Sequence, residues 1–312
     1  MLKKIDLVEN REATVIDGLG EYSLRDTLEC GQCFRFEKIE CPAGLTDEYI
    51  VTLPSRIVDV GQRRPGELIF FGEEELDEEI RTYFSLDTDL EYVKRDVIAH
   101  TDSEWLKEAA KCAGGIAILK QDPWQTLISF IISQNNNIPR IKKIIKQICI
   151  EYGANLSLQN PNVKACPLSL YDGAPCEEKC KKCGVCYSFP TAEDILLRPE
   201  GLLPSRPGFR YGYIVDAAEK VASGEVNLDM IAAARSYAHT LEALKVIRGV
   251  GDKVASCVAL FGFGNLDAFP IDVWMKRAID EYFGGRLDPA TLGRFAGVAQ
   301  QYIFHYIRNI EN

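Results

Sequence analysis

Long apolar runs are missing from this sequence of 312 residues, which excludes a protein built from membrane-spanning helices. The longest nearly unbroken runs, such as VASCVALFGFG, fall far short of the roughly 18 residues that such a helix needs. The first residues, MLKKIDLVENREAT, also lack the apolar centre of a secretory signal. We therefore expect an intracellular protein.

An excess of positive charge is missing as well, because the formal net charge is −10. Net charge governs solubility and long-range association, whereas binding depends on the local field at one face. Acidic residues gather in GEEELDEEI and DTDLEY, while PRIKKIIKQI contains Arg140, Lys142, Lys143 and Lys146. This basic run predicts either a solvated helix face or a local site for an anionic partner.

Internal repeats and low-complexity tracts are also absent, and 46% hydrophobic residues suffice for a sizeable core in two domains. The short runs EYIVTLP, RIVDV and ELIFFG predict antiparallel strands, and EEELDEEIRTYF and SEWLKEAAKCA predict helices after them. From DPWQTLISFIISQ onward the pattern is helical. We predict an α+β protein with an antiparallel α/β domain over residues 1–118 and an all-α domain over residues 119–312.

A glycine turn joins two amphipathic helices in LEALKVIRGVGDKVASCVALFG. Gly249, Val250 and Gly251 form this turn and leave backbone N–H groups at the start of the second helix, where they suit a phosphate oxygen. Such a turn would hold a nucleic-acid backbone without reading its sequence. The alternative is a helical hairpin without a ligand.

Lys253 follows this turn, at the end of a helix that disfavours cations. Burial and the positive end of a helix both favour the neutral amine that a nucleophile requires. Asp272, after Pro270 in FPIDVW, predicts a helix N-cap or a carboxylate that stabilises positive charge on a sugar. A nearby carboxylate would favour the protonated amine, so the two influences on Lys253 oppose each other.

These residues resemble the helix-hairpin-helix DNA glycosylases, and among them the eukaryotic-type 8-oxoguanine DNA glycosylases. The resemblance covers most of the chain outside a cysteine-rich insertion, and the triple asparagine, the hairpin lysine and the downstream aspartate in this order are its specific features. It is carried by GQCFRF, DPWQTLISFIISQNNNIPRI, GFRYGYI, GVGDKVASC, FPIDV and AQQYIF.

The resemblance implies a first domain similar to a TATA-binding-protein repeat and a helical domain whose active site lies in the cleft. It implies a bifunctional enzyme that flips the lesion out of double-stranded DNA. Lys253 would attack the sugar C1′, expel 8-oxoguanine and form a Schiff base that allows β-elimination, and Asp272 would assist the charged transition state. If the protein is bacterial, we expect it in the cytoplasm, associated with the nucleoid. We expect a monomer that needs no cofactor for catalysis.

Four residues would bind the flipped base according to this resemblance. Gly31 would offer its carbonyl to the N7–H group that 8-oxoguanine has and guanine lacks. Cys257 and Phe304 would enclose the base, and Gln300 would bond its Watson–Crick edge. Gly31 is also compatible with a plain turn, and Phe304 with ordinary core packing.

Four further residues would act on the DNA gap and on the opposite base. Asn135 would enter the vacated space with Phe209 nearby, and Arg140 and Arg210 would donate to the opposite cytosine. Asn135 is also compatible with a helix stop, and Arg140 with a solvated basic face. Trp274 stands where animal members carry a histidine, and in this respect the chain resembles bacterial members. Arg140 and Arg210, however, match the cytosine-reading pattern. We therefore predict a preference for cytosine.

A loop at about residues 157–189 contains the cysteine cluster CEEKCKKCGVC, and eleven cysteines in such a chain favour thiols and metal ligation. Cys176, Cys180, Cys183 and Cys186 would hold an iron–sulfur cluster or zinc, and the sequence leaves this choice open. We expect the metal to stiffen a basic loop beside the DNA backbone. Cys112 and Cys149 lie in helical apolar patterns and are predicted to be core.

Two other functions remain open at this point. One is a helix-hairpin-helix glycosylase for another lesion, such as an adenine mispair or an alkylated base. The other is a DNA-binding or redox-sensing module that has lost catalysis. Monofunctional relatives lack the hairpin lysine, so Lys253 favours the bifunctional enzyme.

Overall fold

The computed structural model describes residues 2–8, 11–40, 44–73, 75–156 and 184–310, and its first part is an antiparallel sheet. The strands are β1 (Leu2–Val8), β2 (Arg11–Asp17), β3 (Phe36–Lys38), β4 (Asp47–Thr52), β5 (Ile57–Gln62) and β6 (Glu67–Phe71). They lie in the order β1-β2-β6-β5-β4-β3, and every neighbouring pair is antiparallel. The sheet is followed by helices, which confirms the predicted fold class.

The rest of the described chain is helical. The α-helices are α1 (Leu24–Glu29), α2 (Glu78–Tyr83), α3 (Leu90–Ala99), α4 (Glu104–Ala113), α5 (Pro123–Ser133), α6 (Ile138–Tyr152), α7 (Ala192–Leu197), α8 (Tyr211–Ala222), α9 (Leu228–Ala234), α10 (Tyr237–Leu244), α11 (Asp252–Phe261), α12 (Val273–Tyr282) and α13 (Ala296–Ile310). Short 3-10 helices occupy Pro199–Ser205, Gly208–Arg210 and Pro289–Phe295. Among the described helices, none combines the length and the apolar character that a bilayer crossing requires.

Two apolar cores meet along one extended segment. Ile116 and Ile118 pack into the helical core, while Ala117 and Leu119 pack against the sheet. Side chains of an extended chain alternate between its two faces, so this segment contributes to both cores at once. Although α3 and α4 precede this segment, they pack in the helical core.

Most local features follow the sequence patterns. The three predicted strands correspond to β4, β5 and β6, and α6 ends before Gly153, which is its C-cap. Thr191 and Asp194 form a capping box at the start of α7. The prediction for Cys112 is wrong, because its side chain is exposed on α4, whereas Cys149 is buried as expected.

Candidate active site

An open cleft of about 700 Å³ lies between the loop after α1, the turn before α6 and the helices α11, α12 and α13. This cleft brings together most of the residues that the sequence singled out. They are Gly31, Asn135, Lys253, Cys257, Asp272, Trp274, Gln300 and Phe304. Arg140, Phe209 and Arg210 are not among the residues that line it.

Lys253 is the second residue of α11 and lies partly buried against apolar side chains. Its amine is 5.2 Å from the centre of the Phe130 ring and donates to Ser133 Oγ at 3.4 Å. Phe130 in turn stacks on Phe261 with ring centroids 5.5 Å apart. We call Phe130, Ser133, Lys253 and Cys257 the lysine wall. These contacts hold the Lys253 amine at the wall of the cleft.

Cys257 lies one helical turn after Lys253 and is buried. Burial raises the pKa of its thiol to about 11, and the charge and hydrogen bonding of Lys253 act in the opposite direction. The carboxylate of Asp272 also raises this pKa, so both charged groups lie within electrostatic reach of the thiol. At neutral pH the thiol is therefore an uncharged contact surface.

Asp272 is the N-cap of α12, as one of its two predicted roles required. Its side chain accepts a hydrogen bond from the Met275 backbone at 2.8 Å. The capped helix keeps the carboxylate at the edge of the cleft that contains Lys253. Capping and electrostatic assistance are thus compatible, because the cap fixes where the charge lies.

The two glycines of the hairpin have different requirements. Gly249 has a φ of +81°, and a Cβ atom there would lie 2.2 Å from the Tyr213 ring. Gly251 has an ordinary φ of −99° and open space where a Cβ atom would lie. Val250 between them is buried and anchors the turn. Gly249 therefore shapes the turn, while Gly251 leaves the N-terminus of α11 accessible to a ligand.

Gly31 also adopts a left-handed backbone, with a φ of +88°. A Cβ atom there would approach Phe304 at 3.9 Å and Ile138 at 3.8 Å, on the side of the cleft. Gln32, which is fully buried, fixes this loop by donating to the carbonyls of Thr27 and Ala117 at 2.8 Å each. The backbone carbonyl of Gly31 is consequently held in a defined position.

Three asparagines form the turn between α5 and α6, and each has a separate role. Asn135 is exposed and left-handed with a φ of +47°, a conformation that asparagine tolerates. Asn136 donates to the Ile132 carbonyl at 3.1 Å, and Asn137 caps α6 by accepting from the Arg140 backbone at 3.0 Å. We call Gln134 to Asn137 the asparagine turn.

Arg210 lies buried beneath the asparagine turn rather than in the cleft. Its guanidinium donates to the carbonyls of Gln134 at 2.9 Å, Asn135 at 3.1 Å and Pro207 at 3.2 Å. Burial lowers the pKa of this guanidinium, and the charge of Arg140 adds to the effect. The structure therefore shows Arg210 as a support of the turn, and its predicted contact with an opposite cytosine stays a prediction.

Arg140 and Phe209 lie on the protein surface near this turn. Phe209 is 54% exposed, and its ring lies 4.4 Å from the Arg210 guanidinium carbon. The remaining basic residues of α6 do not form a single solvated face. Lys142 lies 3.9 Å from the centre of the Phe36 ring, and Lys146 packs beside Gly184.

Comparison with known proteins identifies the family. Residues 16–127 match the family model for the N-terminal domain of 8-oxoguanine DNA glycosylase. An N-glycosylase/DNA lyase of Saccharomyces cerevisiae is 29% identical over 283 residues, which cover 82% of this chain and 67% of that protein. The solved structure of MBOgg1 with a low-affinity DNA ligand is 32% identical, covers all of both chains and superposes with a TM-score of 0.81. The chain belongs to the 8-oxoguanine DNA glycosylase family.

A second solved structure extends this similarity. It is the Clostridium acetobutylicum 8-oxoguanine glycosylase/lyase bound to double-stranded DNA with cytosine opposite 8-oxoguanine. That protein is 28% identical, and the match covers 100% of this chain and 99% of that chain with a TM-score of 0.80. The family assignment thus accounts for both the sheet and the helical part of the chain.

Trp274 is the departure from the animal glycosylases that the sequence pointed out. It lies in the cleft as the second residue of α12 and is 36% exposed. Ile271 and Val273 beside it are also exposed, at 38% and 80%. These three exposed apolar side chains lie on either side of Asp272 in the chain and form an apolar surface at the cleft.

The cysteine-rich insertion is described only at its ends. Cys176, Cys180 and Cys183 lie outside the described residues, so their predicted ligation stays a prediction. Cys186 is fully buried with Val185 and Leu156 against the sheet. The Leu156 backbone donates to the Cys186 carbonyl at 2.8 Å, so the two ends of the insertion are joined. Within the described ranges no cluster of side chains could bind a metal ion.

Three residues of the site were missed by the sequence interpretation. They are Gln32 beneath Gly31, Ser133 beside the lysine and Gln301 beside Gln300. Each lies inside a motif that carried the family resemblance, and this position in a motif was the signal that could have identified it. Their roles depend on contacts between separate segments, which periodicity and spacing do not predict.

Proposed function

We propose that this protein removes 8-oxoguanine from double-stranded DNA and then cleaves the strand at the resulting abasic site. The observation that carries this proposal is the Lys253 amine, held on an aromatic wall in a cleft that also contains Asp272 and Gly31. Family membership supports both activities, since the similar yeast protein is an N-glycosylase/DNA lyase.

In the first step the neutral Lys253 amine attacks C1′ of the flipped nucleotide. The C1′–N9 bond breaks, and the base leaves with the bonding electrons and takes up a proton. Asp272 lies on the same cleft and stabilises the positive charge that develops on the sugar. The nitrogen then loses its proton as the sugar ring opens, and the product is a Schiff base between Lys253 and C1′.

The second step follows from that Schiff base. The iminium carbon acidifies the neighbouring C2′–H group, and a base removes this proton. The electron pair of the broken C2′–H bond forms the C1′=C2′ double bond of an enamine. The enamine then expels the 3′ phosphate: the C3′–O bond breaks, a C2′=C3′ double bond forms and the C1′=N iminium is restored. Water finally releases Lys253 from the sugar. The mechanism requires no metal or cofactor among the reacting groups.

Recognition of the lesion would use the part of the cleft around Gly31. The Gly31 carbonyl would accept from N7–H of 8-oxoguanine, and guanine would leave that acceptor facing its own N7 acceptor. The left-handed Gly31 and the hydrogen bonds of Gln32 support this role, because they hold the loop in place. Cys257 and Phe304 would contact the two faces of the base, and Gln300 its Watson–Crick edge.

The DNA around the lesion would meet the asparagine turn and the hairpin. Asn135, exposed and left-handed, would enter the gap, and Phe209 would wedge beside it. Arg140 and Arg210 would read the opposite cytosine, which requires Arg210 to exchange a carbonyl partner for the base. The backbone N–H groups at Gly249 to Gly251 would bind a phosphate.

We further propose a structural metal in the cysteine-rich insertion, as an iron–sulfur cluster or zinc held by Cys176, Cys180, Cys183 and Cys186. The support is the thiol spacing together with the joined ends of the insertion. Metal analysis of pure protein tests this proposal, and absence of both iron and zinc would contradict it. The protein would act as a monomer inside the cell.

A base-release assay tests the main function directly. Duplexes carry 8-oxoguanine opposite each of the four bases, and matched duplexes carry guanine or an alkylated base instead. We expect release of 8-oxoguanine with the highest rate opposite cytosine. Release of only the alkylated base would indicate a different glycosylase, and binding without release would indicate a DNA-binding module. Equal rates opposite cytosine and adenine would contradict the role of the two arginines.

A further inference from the structure

Two consecutive glutamines of α13 lie buried in the cleft and bond to each other. Gln300 is 3% exposed and Gln301 is 4% exposed, and both line the cleft. The Gln301 amide donates to Gln300 Oε1 at 2.7 Å. The oxygen of Gln301 is buried without a hydrogen-bond partner among the described residues. A buried carboxamide usually satisfies its polar groups, so this arrangement calls for a functional explanation.

The internal hydrogen bond restricts what Gln300 can present to a ligand. A carboxamide has a donor end and an acceptor end of nearly equal shape, and rotation by half a turn exchanges them. In the observed pair, the donor from Gln301 occupies one side of Gln300 Oε1. Rotation of Gln300 alone would bring two NH2 groups together, and the hydrogen bond would be lost. Gln301 therefore couples the orientation of Gln300 to its own.

This orientation matters for the class of base that fits. The Watson–Crick edge of an 8-oxoguanine has an acceptor at O6 and a donor at N1, whereas an 8-oxoadenine has a donor at N6 and an acceptor at N1. A carboxamide that bonds both positions must be turned in opposite senses for the two bases. A fixed carboxamide accepts one pattern and leaves unpaired groups against the other.

We propose that Gln301 is a positioning residue that fixes the Gln300 carboxamide and so selects a 6-oxopurine over a 6-aminopurine. The inference rests on the proposed function, because it assumes that Gln300 meets the flipped base. It adds a residue that acts through Gln300 without touching the DNA. Gln301 thereby sets the discrimination between two oxidised purines.

The test compares Gln301→Met with the unaltered protein on three substrates. Two are duplexes with 8-oxoguanine or 8-oxoadenine opposite cytosine, and the third contains an abasic site. Methionine keeps the approximate volume and removes the hydrogen bond. We expect the kcat/KM ratio of 8-oxoguanine to 8-oxoadenine to fall about three- to tenfold, as for the loss of one neutral hydrogen bond. Strand cleavage at the abasic site needs no base and is expected to stay unchanged.

A second variant separates positioning from a structural role. In a Gln300→Met background, Gln301→Met is expected to have no further effect on the ratio, because the group that it positions is gone. An unchanged ratio, an equal effect in both backgrounds, or a uniform fall that includes abasic-site cleavage would overturn the proposal. If the unaltered protein released no 8-oxoguanine while it still cleaved abasic sites, the proposed function would fail first and this inference with it.

Discussion

The lysine wall and the asparagine turn border the same cleft but are built differently. The wall lies on α5 and α11, and the Lys253 amine lies against the ring of Phe130, which is buried in the helical core. The turn lies between helices, and its carbonyls depend on one buried guanidinium. The comparison teaches that the proposed nucleophile stands on helices packed into the core, while the proposed contacts to the DNA gap depend on a small polar network.

The largest expected effect is on the rate of base release and concerns Asp272, which lies in the same cleft as the lysine wall. Asp272→Asn keeps a good N-cap but removes the charge, so base release should slow on the order of a hundredfold to a thousandfold with little loss of stability. Single-turnover kinetics and thermal unfolding measure the two effects. Asp272→Ala is the control that also loses the cap, at about 1 kcal/mol. Full activity of Asp272→Asn would show that the carboxylate is only a cap.

The next effect concerns the turn. Arg210→Met leaves three carbonyls without their donor, so the free energy of unfolding should fall by about 2–4 kcal/mol. Arg140→Met is the matched control on the exposed side, and its stability should change by about 0.5 kcal/mol or less. Denaturant unfolding measures both. Equal stability of the two variants would contradict the supporting role of Arg210.

A smaller effect separates the two hairpin glycines. Gly249→Ala meets the Tyr213 ring and a left-handed backbone, so it should cost about 2 kcal/mol or more. Gly251→Ala meets no atom of the described residues within 4 Å and should cost about 1 kcal/mol or less, yet weaken DNA binding about tenfold, because the added methyl group lies where the phosphate would bind. Unfolding and binding titrations give the two values. Undiminished DNA binding by Gly251→Ala would argue against a phosphate at this turn.

The sequence predicted the local features of this site but not the contacts between residues that are far apart in the chain. The position of Lys253 directly after the glycine turn follows from a local pattern and is found as predicted. The helix boundaries at Gly153 and Thr191 are local features of the same kind. The support of Gln134 by Arg210 joins residues 76 positions apart, which no spacing rule predicts. Cys112 was misjudged because an apolar helix pattern does not settle which of its residues lies at the edge of the buried stripe.

A last comparison, which alters no residue, concerns the thiol of the lysine wall. Because burial raises the pKa of Cys257 to about 11, its thiol stays protonated at pH 8. Alkylation by iodoacetamide at pH 8 should therefore be slower at Cys257 than at exposed Cys112 by about a hundredfold or more. Raising the pH towards 10 should speed the reaction at Cys257 as the thiolate forms. Mass spectrometry of the labelled peptides follows both sites, and equal rates at pH 8 would show that the wall is open.

Reductive trapping tests the central claim most directly. The protein is mixed with duplex DNA that contains 8-oxoguanine opposite cytosine, and sodium borohydride reduces any Schiff base to a stable adduct. The account predicts a covalent adduct in the unaltered protein and in the control variant Lys276→Gln, which alters a lysine of α12 in the same cleft, and none in Lys253→Gln. An adduct that persists in Lys253→Gln would contradict it.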